Sequence, residues 1–367
     1  MRFTNFWTYR RILFSKGFLA ALLQARRNIR DSARNRPLSA GPYLAELDIT
    51  YRCNGRCLMC ERWNDTRGHE LQLEEYEHLA RDLRAMGTHQ ISIAGGEPLL
   101  RPDVFDIVRS FSERTMSVNL CTNGVLLEHS IDPIIESGAT CVTVSLDGAS
   151  QATHDHIRGM PGSFHQIEAG LHRFLERPPG SRPIVRVRMT FSRENAHEIG
   201  AFCRKWEGVA DDVLLQPVHY CSEALYNGPI DDALEFDPES VAEQISGTQL
   251  EGDGYLQQLI QSMRSRGTFP GQACFASILM ARIDPWGTVY PCLEQHRSIG
   301  SLRDGGFRTI WHAPRAAEER QRLASERTCS CWFNNTALIG HYGELLSKGP
   351  AGLLRSLFGN GNGDRRE

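Results

Sequence analysis

From residue 44 onward, short apolar runs alternate with helical stretches, and this alternation restricts the fold more than any other feature of the chain. Strands are expected at "AELDIT" (45–50), "QISIAG" (90–95), "MSVNLCT" (116–122), "CVTVSLD" (141–147), "IVRVRMTF" (184–191) and "DVLLQPV" (212–218). Helical stretches near 73–86, 103–113, 165–176 and 195–206 separate them. Strands joined through helices pair in parallel by right-handed crossovers. Six such units fall short of a full eight-stranded ring. The expectation is therefore an α/β fold, a partial, open (β/α)6 barrel of TIM type, with its chemistry at the carboxyl ends of the strands.

The flanking segments differ in composition. Residues 1–43 carry Arg10, Arg11, Lys16, Arg26, Arg27, Arg30 and Arg34, with apolar residues at helical spacing from Ile12 to Leu23. They predict a basic amphipathic helix and linker, followed by the barrel over 44–221. A polar connector spans 222–273, with one helix expected around 237–265. A small α+β cysteine-bearing domain is expected over 274–335, and a tail over 336–367. The N-terminal helix packs across the barrel or lies on an anionic membrane face.

The net charge of −3 over 367 residues suggests no bulk attraction to nucleic acid. Arginines interrupt the N-terminal apolar run, so no secretory signal forms and a cytoplasmic location follows, with peripheral contact at the inner membrane face as the alternative. Eleven cysteines in a reducing compartment argue for metal or redox chemistry over disulfides.

Three of these, Cys53, Cys57 and Cys60, fall in "YRCNGRCLMC" just past the first strand. A four-iron cluster held by three thiolates keeps one iron open to another ligand. The alternative is a zinc loop that borrows a distant cysteine. The Cys-x3-Cys-x2-Cys spacing resembles the radical S-adenosylmethionine (SAM) superfamily. Further motifs follow in that family's order: "GGEP" (95–98), "CTNG" (121–124), "SLDG" (145–148) and "HDHIRGMPGSF" (154–164).

The resemblance implies that a reduced [4Fe–4S] cluster cleaves SAM to a 5′-deoxyadenosyl radical, which takes hydrogen from a substrate. It implies Cys53, Cys57 and Cys60 as ligands, Gly95, Gly96 and Glu97 around the methionine end of SAM, and Asn123 and Ser145 near its ribose or carboxylate. The family usually carries an aromatic residue before the third cysteine. Met59 stands there, and its soft thioether can fill the same contact. A flavodoxin- or ferredoxin-type donor would supply the electron.

A second group, Cys274, Cys292, Cys329 and Cys331, resembles SPASM/twitch-type auxiliary domains, with Gly287 five residues before Cys292. Four thiolates suit one auxiliary [4Fe–4S] cluster or, alternatively, a structural zinc. Cys121, Cys141, Cys203 and Cys221 are expected to be packed in the core.

Substrate contacts are sought on the late strands at Arg186, Arg188, Gln216, His219 and Tyr220. Arg186 and Arg188 share a face by alternation and would grip a carboxylate or phosphate if that face is interior. The substrate is expected to be a small molecule or lipid-linked, and a net oxidation would pass an electron to the auxiliary cluster. A peptide-modifying maturase is the alternative, set second because no large leader-binding segment precedes the cysteines. A non-catalytic zinc-stapled scaffold is the alternative of another class.

Overall fold

The structure is a computed structural model and describes residues 15, 17–65, 67–218, 236–264, 274–293, 295–326, 332 and 334–347. The expected strands form β1 (Leu44–Thr50), β2 (Gln90–Gly95), β3 (Ser117–Thr122), β4 (Cys141–Ser145), β5 (Ile184–Phe191) and β6 (Asp212–Pro217). Each pairs in parallel with the next. Helix α1 (Phe18–Ala33) precedes them, and α2 (Leu73–Ala85), α3 (Val104–Ser112), α4 (Leu127–Glu136), α5 (Gln151–Arg158), α6 (Ser163–Leu175) and α7 (Ile199–Trp206) lie between them.

Strand alternation separates two environments. Leu47, Ile49, Ile91, Ile93, Val118, Leu120, Val142, Val144, Val185, Val187 and Val213 are buried in one core with the helices. Each such side chain taken from water contributes about 1.5–3 kcal/mol. The residues between them, such as Glu46, Cys121, Ser145, Arg188 and Gln216, face a common cavity. Parallel strands buried on both faces are usually apolar throughout. Here the inner face is polar, which marks the lumen as a chamber and not a packed core.

Beyond the barrel lie α8 (Pro238–Ile245), α9 (Gly254–Arg264), α10 (Ala276–Leu279), α11 (Phe307–His312), α12 (Pro314–Glu326) and α13 (Asn334–Ser347). The single helix expected near 237–265 is in fact α8 and α9. Gly247 and Gly252 between them take left-handed φ of 71° and 74°, which a continuous helix cannot accommodate. The polar sequence "QATHDHIR" (151–158) has little apolar periodicity, yet it forms α5, started by Ser150 accepting from Thr153 N.

Strands β7 (Met280–Ile283), β8 (Thr288–Tyr290) and β9 (Gly300–Ser301) do not form a detached sheet. β7 pairs in parallel with β1, and the β7–β8–β9 meander extends the barrel sheet to nine strands in the order β6-β5-β4-β3-β2-β1-β7-β8-β9. Helix α1 packs Ala21, Ala25 and Ile29 into a second core with Phe275, Leu279, Met280, Cys292 and Ile339. Its Leu19 and Leu23 remain exposed, whereas residues 1–14 of the expected amphipathic segment lie outside the described residues. Among the described residues no helix is long and apolar enough to cross a membrane.

Candidate active site

The carboxyl ends of the strands surround a cavity of about 180 Å³. Its wall includes Cys53, Cys57, Met59, Cys60, Gly95, Gly96, Asn123, Ser145, Arg188 and Gln216, all singled out from the sequence. His219, Tyr220, Cys221, Cys329 and Cys331 lie outside the described residues. Sequence reasoning missed Glu46, Arg62, Arg158, Thr190 and Asn335. Cys121, expected in the core, also lines the cavity, because β3 turns it to the inner face.

Backbone contacts hold the cysteine loop from outside. Arg56 N and Leu58 N donate to Arg158 O (3.0 Å) and Ile157 O (2.9 Å) at the end of α5. Gly159 follows so closely that a Cβ there would stand 2.6 Å from Arg56 O. The motif "HDHIRGMPGSF" is thus the cradle of the cysteine loop. Its Arg158 is ion-paired to Asp147 (2.6 Å) and reaches Cys57 Sγ at 3.8 Å.

The glycine pair of GGEP is a matter of space. Gly96 N donates to Thr50 O (2.6 Å) and Glu97 N to Arg52 O (2.9 Å), drawing β2 against the start of the cysteine loop. The Glu97 side chain turns into the protein and is fully buried. Its carboxylate accepts from Leu99 N (3.0 Å), Thr122 Oγ1 (2.7 Å) and Asn123 N (2.6 Å). Burial pushes its pKa up, and these three donors oppose the shift. Glu97 therefore ties the GGEP turn to the CTNG turn, while Asn123 Nδ2 reaches Asn54 Oδ1 of the cysteine loop at 2.6 Å.

On the far wall, Arg188 Nη2 lies 3.5 Å from Ser145 Oγ. Arg186 sits on the same strand face but is engaged below, with Nε on Cys141 Sγ (2.8 Å) and Nη2 on Asn119 Oδ1 (3.0 Å). Gln216 Oε1 accepts from Asn334 N (3.2 Å), and Asn335 Nδ2 donates to Glu46 Oε2 (2.8 Å). The start of α13 thereby reaches β6 and β1, two barrel strands that do not pair with each other. Glu46 is the only carboxylate among the described residues on the cavity wall. Burial first, then the nearby Asp48, push its pKa up to about 7, against the pull of Asn335, Arg188 and Arg62.

The thiols suit a metal cluster by chemistry. None of Cys53, Cys57 and Cys60 is in a disulfide. Burial pushes the Cys57 thiol up to about 11 and raises that of Cys53, a cost that binding a cation reverses. Among the described residues no three His, Cys, Asp or Glu side chains already stand at metal-ligand spacing. In the second group Cys292 is buried and Cys274 exposed, and Leu293, next to Cys292, lines the same cavity.

A partial parallel barrel with three cysteines at its mouth and a polar lumen below defines a cluster-bearing barrel enzyme. The chain belongs to the radical SAM superfamily, whose family description matches residues 47–205, and an iron–sulfur cluster-binding SPASM domain matches residues 274–332. It is 34% identical over 302 residues to an AdoMet-dependent heme synthase of Methanosarcina barkeri, covering 75% of this chain and 83% of that one. It is 26% identical over 325 residues to the mycofactocin maturase MftC of Mycobacterium tuberculosis, covering 82% and 76%. Its fold matches that of Streptococcus suis SuiB bound to S-adenosylmethionine, with a TM-score of 0.61 at 14% identity over 84% of this chain and 74% of that one. The protein is thus a radical SAM enzyme, with a [4Fe–4S] cluster that binds SAM and an auxiliary iron–sulfur domain. The zinc-scaffold reading falls.

Proposed function

We propose that this enzyme takes hydrogen from a carboxylate-bearing small molecule bound between the cysteine loop and the wall formed by Glu46, Arg188, Gln216 and Asn335. The single observation that carries this reading is that these polar side chains share one cavity with the three thiols. When bound, the cluster supplies the electron that splits SAM into methionine and a 5′-deoxyadenosyl radical.

The chain's residues do the rest. Cys53, Cys57 and Cys60 would hold the cluster through three thiolates, a set that keeps one iron available to SAM. Gly95, Gly96, Met59, Asn123 and Ser145 surround SAM, while Glu97 positions the two turns. Arg158, fixed by Asp147, offsets the negative charge gathered at the thiolates. Arg188 anchors the substrate anion, and Glu46 accepts or returns a proton. Cys274 and Cys292, with Cys329 and Cys331, would hold the auxiliary cluster, whose chemistry would be that of an electron acceptor in a net oxidation. A flavodoxin- or ferredoxin-type protein supplies the first electron.

Anaerobic reconstitution of the full chain tests the reading. It should take up roughly eight irons per chain, as two four-iron clusters require, and form 5′-deoxyadenosine under reductant. Carboxylate substrates should accelerate that formation and their methyl esters should not. Arg188→Met should weaken the carboxylate effect about 10- to 100-fold, the worth of one charged hydrogen bond. Equal acceleration by acids and esters would refute the anchor. A peptide substrate is the second reading, favoured by the similarity to mycofactocin maturase, and peptides ending in a free carboxylate belong in the same panel.

Glu46 makes a separate, pH-dependent prediction. Its pKa is raised from the ordinary 4.5 to about 7, so the folded state binds more protons than the unfolded state between those values. Stability from this group is present at low pH and is lost as pH rises through about 7. Glu46→Gln should melt at a higher temperature than the parent at pH 8, by up to about 3 kcal/mol in stability, with the gain shrinking toward pH 5. Anaerobic thermal melts at both pH values check this, and a gain independent of pH would contradict it.

A further inference from the structure

Below the cavity, one carboxylate joins both cysteine loops. Asp48 on β1 is 2% exposed and accepts from Arg62 Nη1 at 2.9 Å through Oδ1. On its other side, Arg282 Nε of β7 stands 3.8 Å from Oδ2, which also accepts from Tyr51 Oη at 3.3 Å. Arg62 follows Cys60 by two residues, and its Nη1 also reaches Gly95 O at 3.4 Å. Arg282 Nη1 donates to Leu293 O (3.1 Å), the carbonyl of the residue after Cys292. Each guanidinium is further placed by a ring, Arg62 over Tyr51 at 5.4 Å and Arg282 over Tyr290 at 4.3 Å.

The path from the first cysteine loop to the second therefore runs Arg62, Asp48, Arg282, Leu293 O, entirely through side chains 16% exposed or less. Burying charge costs several kcal/mol per ion unless paired, so this arrangement does not arise as solvated surface decoration. It carries two positive charges against one negative. Two further acids stand in its field: Arg62 pulls on Glu46 and Arg282 on Asp284, while Glu46 is also bonded to Asn335 and Asp284 to Trp286 N, Thr288 N and Tyr290 Oη.

We propose that Arg62, Asp48 and Arg282 are positioning residues shared by the two cluster sites, fixing the Cys60 and Cys292 segments to β1 and setting the charge between them. The inference rests on both cysteine groups binding clusters. A positive charge in a dry interior favours the more negative, reduced form of a nearby cluster and so raises its reduction potential. Removing charge from either arginine lowers it, and neutralising the aspartate raises it.

The test is an anaerobic redox titration, followed by electron paramagnetic resonance, of the reconstituted full chain and four variants, with iron counted in each. Asp48→Asn should shift cluster potentials upward. Arg282→Gln and Arg62→Gln should shift them downward, the former more at the auxiliary cluster and the latter more at the SAM-binding one. Arg282→Lys keeps the charge and loses the fork, so its potentials should stay near the parent's, which keeps the test decisive if Asp48→Asn does not fold. Unchanged potentials, or shifts of one sign in all variants at full iron content, would overturn the triad's role and leave the enzyme reading standing. A parent chain that takes up no iron would overturn both.

Discussion

Replacing any one of Cys53, Cys57 or Cys60 with alanine will abolish reductive cleavage of SAM and leave the iron of the second cysteine group in place. Three thiolates are the minimum that fixes a four-iron cluster while keeping one iron open, so losing one removes the site and not merely some of its rate. The second group is expected to survive because Cys292 sits in a different core, among Phe275, Leu279, Met280 and Ile339. The checking measurements are iron content, which should fall from roughly eight to roughly four per chain as one four-iron cluster is lost, and 5′-deoxyadenosine formation, which should vanish. Cleavage surviving in any of the three variants would refute the assignment of that thiol.

Gly95→Ala should be nearly as damaging to SAM binding, for a steric reason. Gly95 has φ of +135°, and a Cβ there would stand 2.2 Å from Thr50 O, a backbone atom that cannot swing away. Gly96 is in the same position toward Arg52 O, at 2.3 Å. Relieving the clash means parting the end of β2 from β1, where Gly96 N bonds Thr50 O. Strain of this kind costs about 1–3 kcal/mol, which corresponds to roughly 5- to 150-fold weaker SAM binding if it falls on the bound state. Equilibrium binding of SAM to the reconstituted variant measures it, with iron content near the parent's as the companion readout. Affinity within twofold of the parent would show that the turn yields without consequence.

Much of this molecule was legible from its residues. The six barrel strands and most of the intervening helices follow from apolar periodicity, because a strand must bury Leu47 or Val187 on the helix side whatever lies opposite. Interior placement of Arg188 follows from the same alternation once the helix-facing valines are recognised. Helix α5 was hidden because its stability comes from the Ser150 cap and from docking under the cysteine loop, with few apolar residues of its own. The split between α8 and α9 was missed because glycine φ values, and not hydrophobic spacing, set that boundary.

The site divides along the same line. Local order in the chain specified the thiols, the glycine pair and the residues at strand ends, since each depends on near neighbours and on the pleat of one strand. Two other facts depend on contacts between distant segments. Glu97 belongs to the protein's own turns and not to the cavity, which is visible only once Thr122 and Asn123 are seen to fill its lone pairs. Asn335 meets Glu46 across 289 positions of sequence, and Arg282 meets Asp48 because β7 happens to pair with β1. No periodicity encodes such meetings. They arise from which strand edge remains open for a late segment to occupy, and only the assembled sheet decides that.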